Sequence, residues 1–144
     1  MSYSLALPEE FYYTKNHEWL QVDENLVTIG LTPYVLDQLG EVLYFDLPED
    51  GQNATTGNIL CTVESILKIH DLVSEINGTV LEVNSTLLED FNLINDDPMG
   101  DGWLLRVEMD NERDLAHLLR SREYRDYIAQ CEANKAEAAK TAKA

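Results

Sequence analysis

Thiol chemistry is nearly absent from this 144-residue chain, which has two cysteines, Cys61 and Cys131. They stand far apart and outside any metal-ligand spacing, so neither a disulfide framework nor a zinc site is indicated. His17, His70 and His117 are equally scattered, and no metal is expected. Basic residues are also few: 10 Lys and Arg against 27 Asp and Glu give a formal net charge of -17. That excess repels nucleic acid and anionic lipid, whose binders neutralise dense negative charge with Lys and Arg. It either steers the chain toward basic faces of partner proteins or serves only solubility. No apolar run approaches the roughly 18 residues that cross a bilayer. Met1 to Glu10 lacks the order of a secretory signal and the Arg-rich character of a transit peptide. A cytoplasmic protein with reduced thiols is the expectation. There is no Gly-rich phosphate loop, nucleophile elbow or pair of histidines at helical spacing, so no self-contained active site is predicted.

With 44% apolar residues, the chain can build one compact core and is too short for two. The expected organisation is one domain over residues 10–130 and an Ala- and Lys-rich tail over 131–144. Short β-rich runs occur at Leu26 to Leu31, Val42 to Phe45 and Ile59 to Val63. Between the first two, Thr32 is placed to cap a helix beginning at Pro33, where a missing N–H costs nothing, and Gly40 to end it. Asn77-Gly78, the strongest short hairpin signal, precedes the run Thr79 to Val83, so two successive hairpins are predicted between Ile59 and Val83. The turn-rich Asp96 to Gly102 leads into a last strand, Trp103 to Val107. Leu115, Leu118 and Leu119, then Tyr124, Tyr127 and Ile128, recur at helical spacing and predict C-terminal helices against the sheets. The fold class is mainly β (α+β), a barrel or sandwich.

Ordered motifs then carry a resemblance. They are His17-Glu18-Trp19, Gly30-Leu31-Thr32, Leu39-Gly40, Asp46-Leu47-Pro48-Glu49 with Gly51, Val63-Glu64-Ser65, Asp71, Gly78 and Val83-Asn84. Asn95-Asp96-Asp97-Pro98, Gly100-Asp101-Gly102-Trp103, Leu118-Leu119 and Tyr124 complete the series. From about Tyr12 to Ile128 the chain resembles the H protein of the glycine cleavage system. The resemblance implies a barrel-sandwich hybrid of the lipoyl and biotinyl type, with lipoate in amide linkage to a lysine at a hairpin tip. It also implies a non-catalytic, monomeric carrier of an aminomethyl intermediate. Implied partners are glycine decarboxylase, aminomethyltransferase, dihydrolipoyl dehydrogenase and a lipoyl ligase or transferase.

The family's modified lysine lies three residues after the glutamate matched by Glu64 and eleven before the glycine matched by Gly78, and that slot holds Leu67. Lys68, the only lysine between Lys15 and Lys135, stands one residue later. A one-residue step reverses side-chain direction in a strand, whereas both residues of a turn project outward, so a turn shifted by a compensated insertion and deletion around Ile66-Leu67 presents Lys68 as the family presents its lysine. Lys68 is therefore the expected lipoyl attachment, displaced by one from Leu67. The resemblance further implies that Glu18 and Asp71 line a cleft sheltering the loaded arm, with Asn16 beside them where the family often has serine. Biotinyl carriers also want lysine where Leu67 stands, and the His-Glu-Trp and Asp-Pro motifs point away from them. Two alternatives stay open: a lipoyl carrier in another pathway, such as sulfur oxidation or lipoyl relay, and an unmodified scaffold that lost the group.

Overall fold

The computed structural model describes residues 7–143. Strands β1 (Tyr12–Tyr13), β2 (Glu18–Asp23) and β3 (Leu26–Leu31) form an antiparallel meander. Helix α1 (Pro33–Leu39) follows, then β4 (Val42–Asp46), β5 (Asn53–Ala54), β6 (Ile59–Ser65), β7 (Ile69–Val73) and β8 (Gly78–Val83). Two one-turn helices, α2 (Thr86–Glu89) and α3 (Leu93–Asp96), precede β9 (Leu105–Met109). A 3-10 turn, Glu112–Leu115, and the long helix α4 (Ser121–Lys143) complete the chain.

The strands make two sheets, a six-stranded one in the order β1-β2-β3-β9-β8-β5 and a three-stranded one in the order β4-β6-β7. Both bury one face in a common core. Val27, Ile29, Val80 and Val107 come from the larger sheet, and Phe45, Val63 and Leu72 from the smaller. This is the barrel-sandwich arrangement that the motifs imply. A second cluster, Phe11, Tyr13, Trp19, Tyr34, Tyr124 and Ile128, joins the β1–β2 end to α4.

The motifs prove to be fasteners. Trp19 lies opposite Gly30 in the β2–β3 ladder, and a Cβ on Gly30 would come within 2.6 Å of the indole. Only glycine leaves the ring room to lie flat on the strand. The indole N–H then donates to the Pro98 carbonyl at 2.9 Å, tying the His-Glu-Trp motif to the Asp-Pro loop. Asn84 Nδ2 donates to the carbonyls of Asp101 and Trp103, both at 2.8 Å.

Three local expectations differ from the structure. Asn77-Gly78 does not close a hairpin, because β7 and β8 belong to different sheets and β8 pairs with β5 and β9. Gly78 is required by the close approach of the Glu108 carbonyl, and Asn77 N–H donates to Asp114 Oδ2 at 2.8 Å. Tertiary contacts thus turn a hairpin signal into a crossing between sheets. Thr32 makes no side-chain cap on α1, since its hydroxyl meets the Tyr124 phenol at 2.6 Å. The spacing of Leu115, Leu118 and Leu119 is not one helix. The 3-10 turn ends at Leu115, and Leu119 exchanges backbone hydrogen bonds with Tyr13 at 2.7 and 2.8 Å. Helix α4 runs unbroken from Ser121 to Lys143.

Candidate functional site: the β6–β7 tip and its flanks

The β6–β7 ladder runs without a register shift from Cys61 to Glu64, ending at the pair Glu64 and Ile69. Ser65 N–H donates to the Lys68 carbonyl at 2.9 Å. The Ser65 hydroxyl donates to the same carbonyl at 2.7 Å and accepts from Lys68 N–H at 3.1 Å. Ile66 and Leu67 are therefore the two corner residues, and the shifted turn expected to bring Lys68 to a corner does not form, because Ser65 and Lys68 pair with each other. Leu67 occupies the outer corner with 68% of its surface exposed. Lys68 is the residue that pairs back to Ser65.

This placement gives Lys68 a direction. Side chains alternate across a strand, so Lys68 and His70 share the face on which Leu72 enters the core, while Ile69 and Asp71 face outward. Lys68 is exposed, and its ammonium donates to Gln38 Oε1 on α1 at 3.2 Å. An exposed primary amine stands at the hairpin tip, one residue after the corner that the resemblance assigns to the modified lysine, and such an amine is open to acylation. The amine leaves from the α1 flank of the tip instead of its apex.

The α1 flank also holds residues that the sequence treats as scattered. His17 lies in the left-handed region at φ 65, which turns its ring toward Tyr34, with centroids 4.9 Å apart. Its Nδ1 and the Tyr124 hydroxyl are 2.8 Å apart. Burial lowers the His17 pKa to about 4, reinforced by positive charge on His70, Lys135 and Lys68. Burial and the Lys68 ammonium lower that of His70 as well, and His70 Nε2 is buried with no partner among the described residues. Both rings are neutral near pH 7. The signal for His70 is its spacing of two from Lys68 in a strand, which sets both on one face; His17 has no such signal, because only folding brings it there.

Asn16, Glu18 and Asp71 do converge, through the edge of the small sheet. β7 is an edge strand. In place of a neighbouring strand, Glu18 Oε2 accepts from Val73 N–H at 2.7 Å, and Asn16 Nδ2 donates to the Asp71 carbonyl at 2.8 Å. The same Asn16 amide donates to Glu18 Oε2 at 2.9 Å, and the Thr14 hydroxyl donates to Glu18 Oε1 at 3.3 Å. Glu18 is 1% exposed, so it is an internal clamp and not an open cleft wall. Burial pushes its pKa up to about 8 against the pull of these donors. Asp71 is exposed, and its carboxylate accepts from the Thr62 hydroxyl at 2.9 Å on the outward face.

Two sheets around one core, with an exposed amine at the tip of a clamped hairpin, define a carrier-type barrel-sandwich domain. The family model of the glycine cleavage H-protein matches residues 11–131. The glycine cleavage system H protein of Thermotoga maritima is 38% identical over 118 residues, covering 82% of this chain and 95% of that protein. The probable H protein of Haloarcula marismortui is 38% identical over 125 residues, covering 87% and 98%. The crystal structure of a glycine cleavage system H protein from Mycobacterium marinum superposes with a TM-score of 0.77 at 30% identity, covering 88% of this chain and 99% of that one. The chain belongs to the glycine cleavage H-protein family.

Among the described residues, no helix is long and apolar enough to cross a membrane.

Proposed function

We propose that this chain is a non-catalytic lipoyl carrier of the glycine cleavage system, modified on Lys68. The observation that carries the reading is the exposed Lys68 amine at the tip of a hairpin whose base is locked into the core. Family membership supplies the system. Glycine decarboxylase, aminomethyltransferase and dihydrolipoyl dehydrogenase are the proposed users of the arm, and a lipoyl ligase or transferase its source. Two free cysteines, one of them buried, are consistent with a reducing cytoplasm as the place of action.

When bound, the lipoyl group supplies a redox-active dithiolane on a long arm, and the protein supplies position. The Ser65–Lys68 turn fixes the root of the arm, and the clamp of Asn16 and Glu18 on β7 keeps that root in register with the core. A fixed root confines the arm's far end to a small volume, which raises its effective concentration at a docked partner's site. Asp71 is exposed on the face opposite Lys68, so it meets a protonated nitrogen on the cargo only when the arm crosses the hairpin. Glu18 contributes from within, by orienting Asn16 and β7.

A second reading rests on one observation: Leu67 holds the apex, and Lys68 is turned aside onto Gln38. In that reading the chain is an unmodified scaffold. Intact mass and peptide mapping after incubation with lipoate and a lipoyl ligase separate the two. One added lipoyl group on the Lys68 peptide, lost in Lys68→Ala, is expected. An unmodified chain supports the scaffold, and a group that persists in Lys68→Ala means another lysine carries it.

A further inference from the structure

The hairpin tip has two unlike flanks. On the α1 flank stands Lys68. On the outward flank, Tyr44, Glu64 and Ile69 form one cross-strand row, with Leu43 in the β4 bulge beside it and Ile66 and Leu67 at the turn. Tyr44 is 54% exposed and Ile69 63%. Among the described residues, five of the eight large apolar side chains that stand exposed are gathered at this corner. An apolar cluster of that kind on an acidic, soluble chain marks a contact surface.

The collar is held in place before any partner arrives. Ile66 N–H donates to the Glu41 carbonyl at 2.9 Å. A Cβ placed on Gly40, whose φ is 73, would lie 3.4 Å from Ile66 Cγ2 and 3.5 Å from Leu67 Cδ1, so the corner side chains lie over the end of α1. The corner backbone is therefore fixed to the end of α1 by the Ile66–Glu41 bond, which lowers the ordering cost of docking.

The charges around the collar select its occupant. Glu41, Asp46, Glu64 and Asp71 are all exposed about it, and Lys68 is the only lysine or arginine between Lys15 and Arg106. Anionic lipid is repelled by this ring, and so is a second copy of the chain. What remains complementary is a protein surface with an apolar mouth rimmed by Lys and Arg.

We propose that Leu43, Tyr44, Ile66, Leu67 and Ile69 form a docking collar for a glycine cleavage enzyme whose arm entrance is apolar within and basic at its rim. The proposal rests on the carrier reading for the identity of the partner, not for the surface itself. It gives Leu67 a purpose: at the apex, an apolar residue leads the tip into the entrance while the amine enters from the side.

The test is calorimetric titration of the full chain against purified glycine decarboxylase and aminomethyltransferase from the same cells, at two salt concentrations. Leu67→Ser with Ile69→Ser is expected to weaken binding at least tenfold with an unchanged melting temperature. Glu41→Gln with Glu64→Gln is expected to slow association and to flatten its salt dependence. Equal binding by the apolar double variant, or no binding of the wild-type chain to either enzyme, overturns the proposal. Mass mapping in parallel keeps the two readings separate. A chain that is lipoylated but binds without need of the collar leaves the carrier reading standing alone. A chain that binds through the collar yet is never lipoylated supports the collar and removes the carrier.

Discussion

The base and the tip of the β6–β7 hairpin follow opposite rules. At the base, Cys61, Val63 and Leu72 are at most 2% exposed, and the edge of β7 is bonded by Asn16 and Glu18. At the tip, Ile66, Leu67 and Ile69 are each more than 60% exposed. Apolar side chains buried at the base stabilise the fold; the same residue types at the tip contribute little to it and are available to a partner. The difference separates stability from function along a single hairpin. Sequence-level hydrophobicity does not distinguish the two regions.

Variants can break this comparison or sharpen it. The largest loss of stability is expected where Trp19 lies on Gly30. Trp19→Ala should cost about 3 to 5 kcal/mol in a denaturant titration, and a cost under about 1 kcal/mol would remove the fastener from the account. Next comes the clamp. Glu18→Ala leaves the Val73 amide without its side-chain acceptor and Asn16 with the Asp71 carbonyl alone, for about 1 to 3 kcal/mol. Faster hydrogen exchange at Val73 should accompany it, and unchanged exchange there would show that water or another group replaces the carboxylate.

The clamp also makes a pH dependence. Glu18 has a folded pKa of about 8, above its ordinary 4.5, so the folded chain binds this proton more tightly than the unfolded one. Its contribution is fully present below pH 4.5 and is lost as pH rises through 8. His17 acts in the opposite sense. Its pKa falls from 6.5 to about 4 on folding, so its contribution is present above 6.5 and is lost as pH falls through 4. Between pH 6.5 and 8 only Glu18 of these two acts. Melting temperature should decline there in the wild-type chain and hold level in Glu18→Gln, while His17→Gln should flatten the acid limb instead. A Glu18→Gln profile parallel to wild type would place the titration elsewhere.

The smallest effect on stability belongs to the apex. Leu67→Lys should change stability by no more than about 0.5 kcal/mol, as for exposed positions generally, and mass mapping should find the lipoyl group on residue 67. A large destabilisation would mean that Leu67 supports the fold from its place over the end of α1.

Much of this was legible in the chain itself. The runs Leu26 to Leu31 and Pro33 to Leu39 read correctly because alternation, Pro33 and Gly40 act locally. Asn77-Gly78 misled because its geometry answers to Glu108 and Asp114, which are distant in sequence. Leu115 to Leu119 misled because helical spacing also arises when a 3-10 turn is followed by a bridge to Tyr13. In the candidate site, period-two spacing places Lys68 and His70 together. The displacement of Lys68 from the family's slot is also plain from counting. The burial of Glu18 is not legible, since a carboxylate in a strand beside Trp19 gives no local sign that its partners lie on β7. The grouping of Tyr44 with Ile69 likewise needs the β4–β6–β7 register.

The bonds made by Asn16 and Glu18 have a consequence beyond holding the hairpin. An edge strand with free N–H and C=O groups is a template on which a strand of another molecule can add, the first step toward aggregates. In β7 the Val73 N–H and the Asp71 C=O are already engaged by side chains, which cannot themselves pass the pattern on. Over this stretch of β7 the smaller sheet is therefore closed to the strand of another copy.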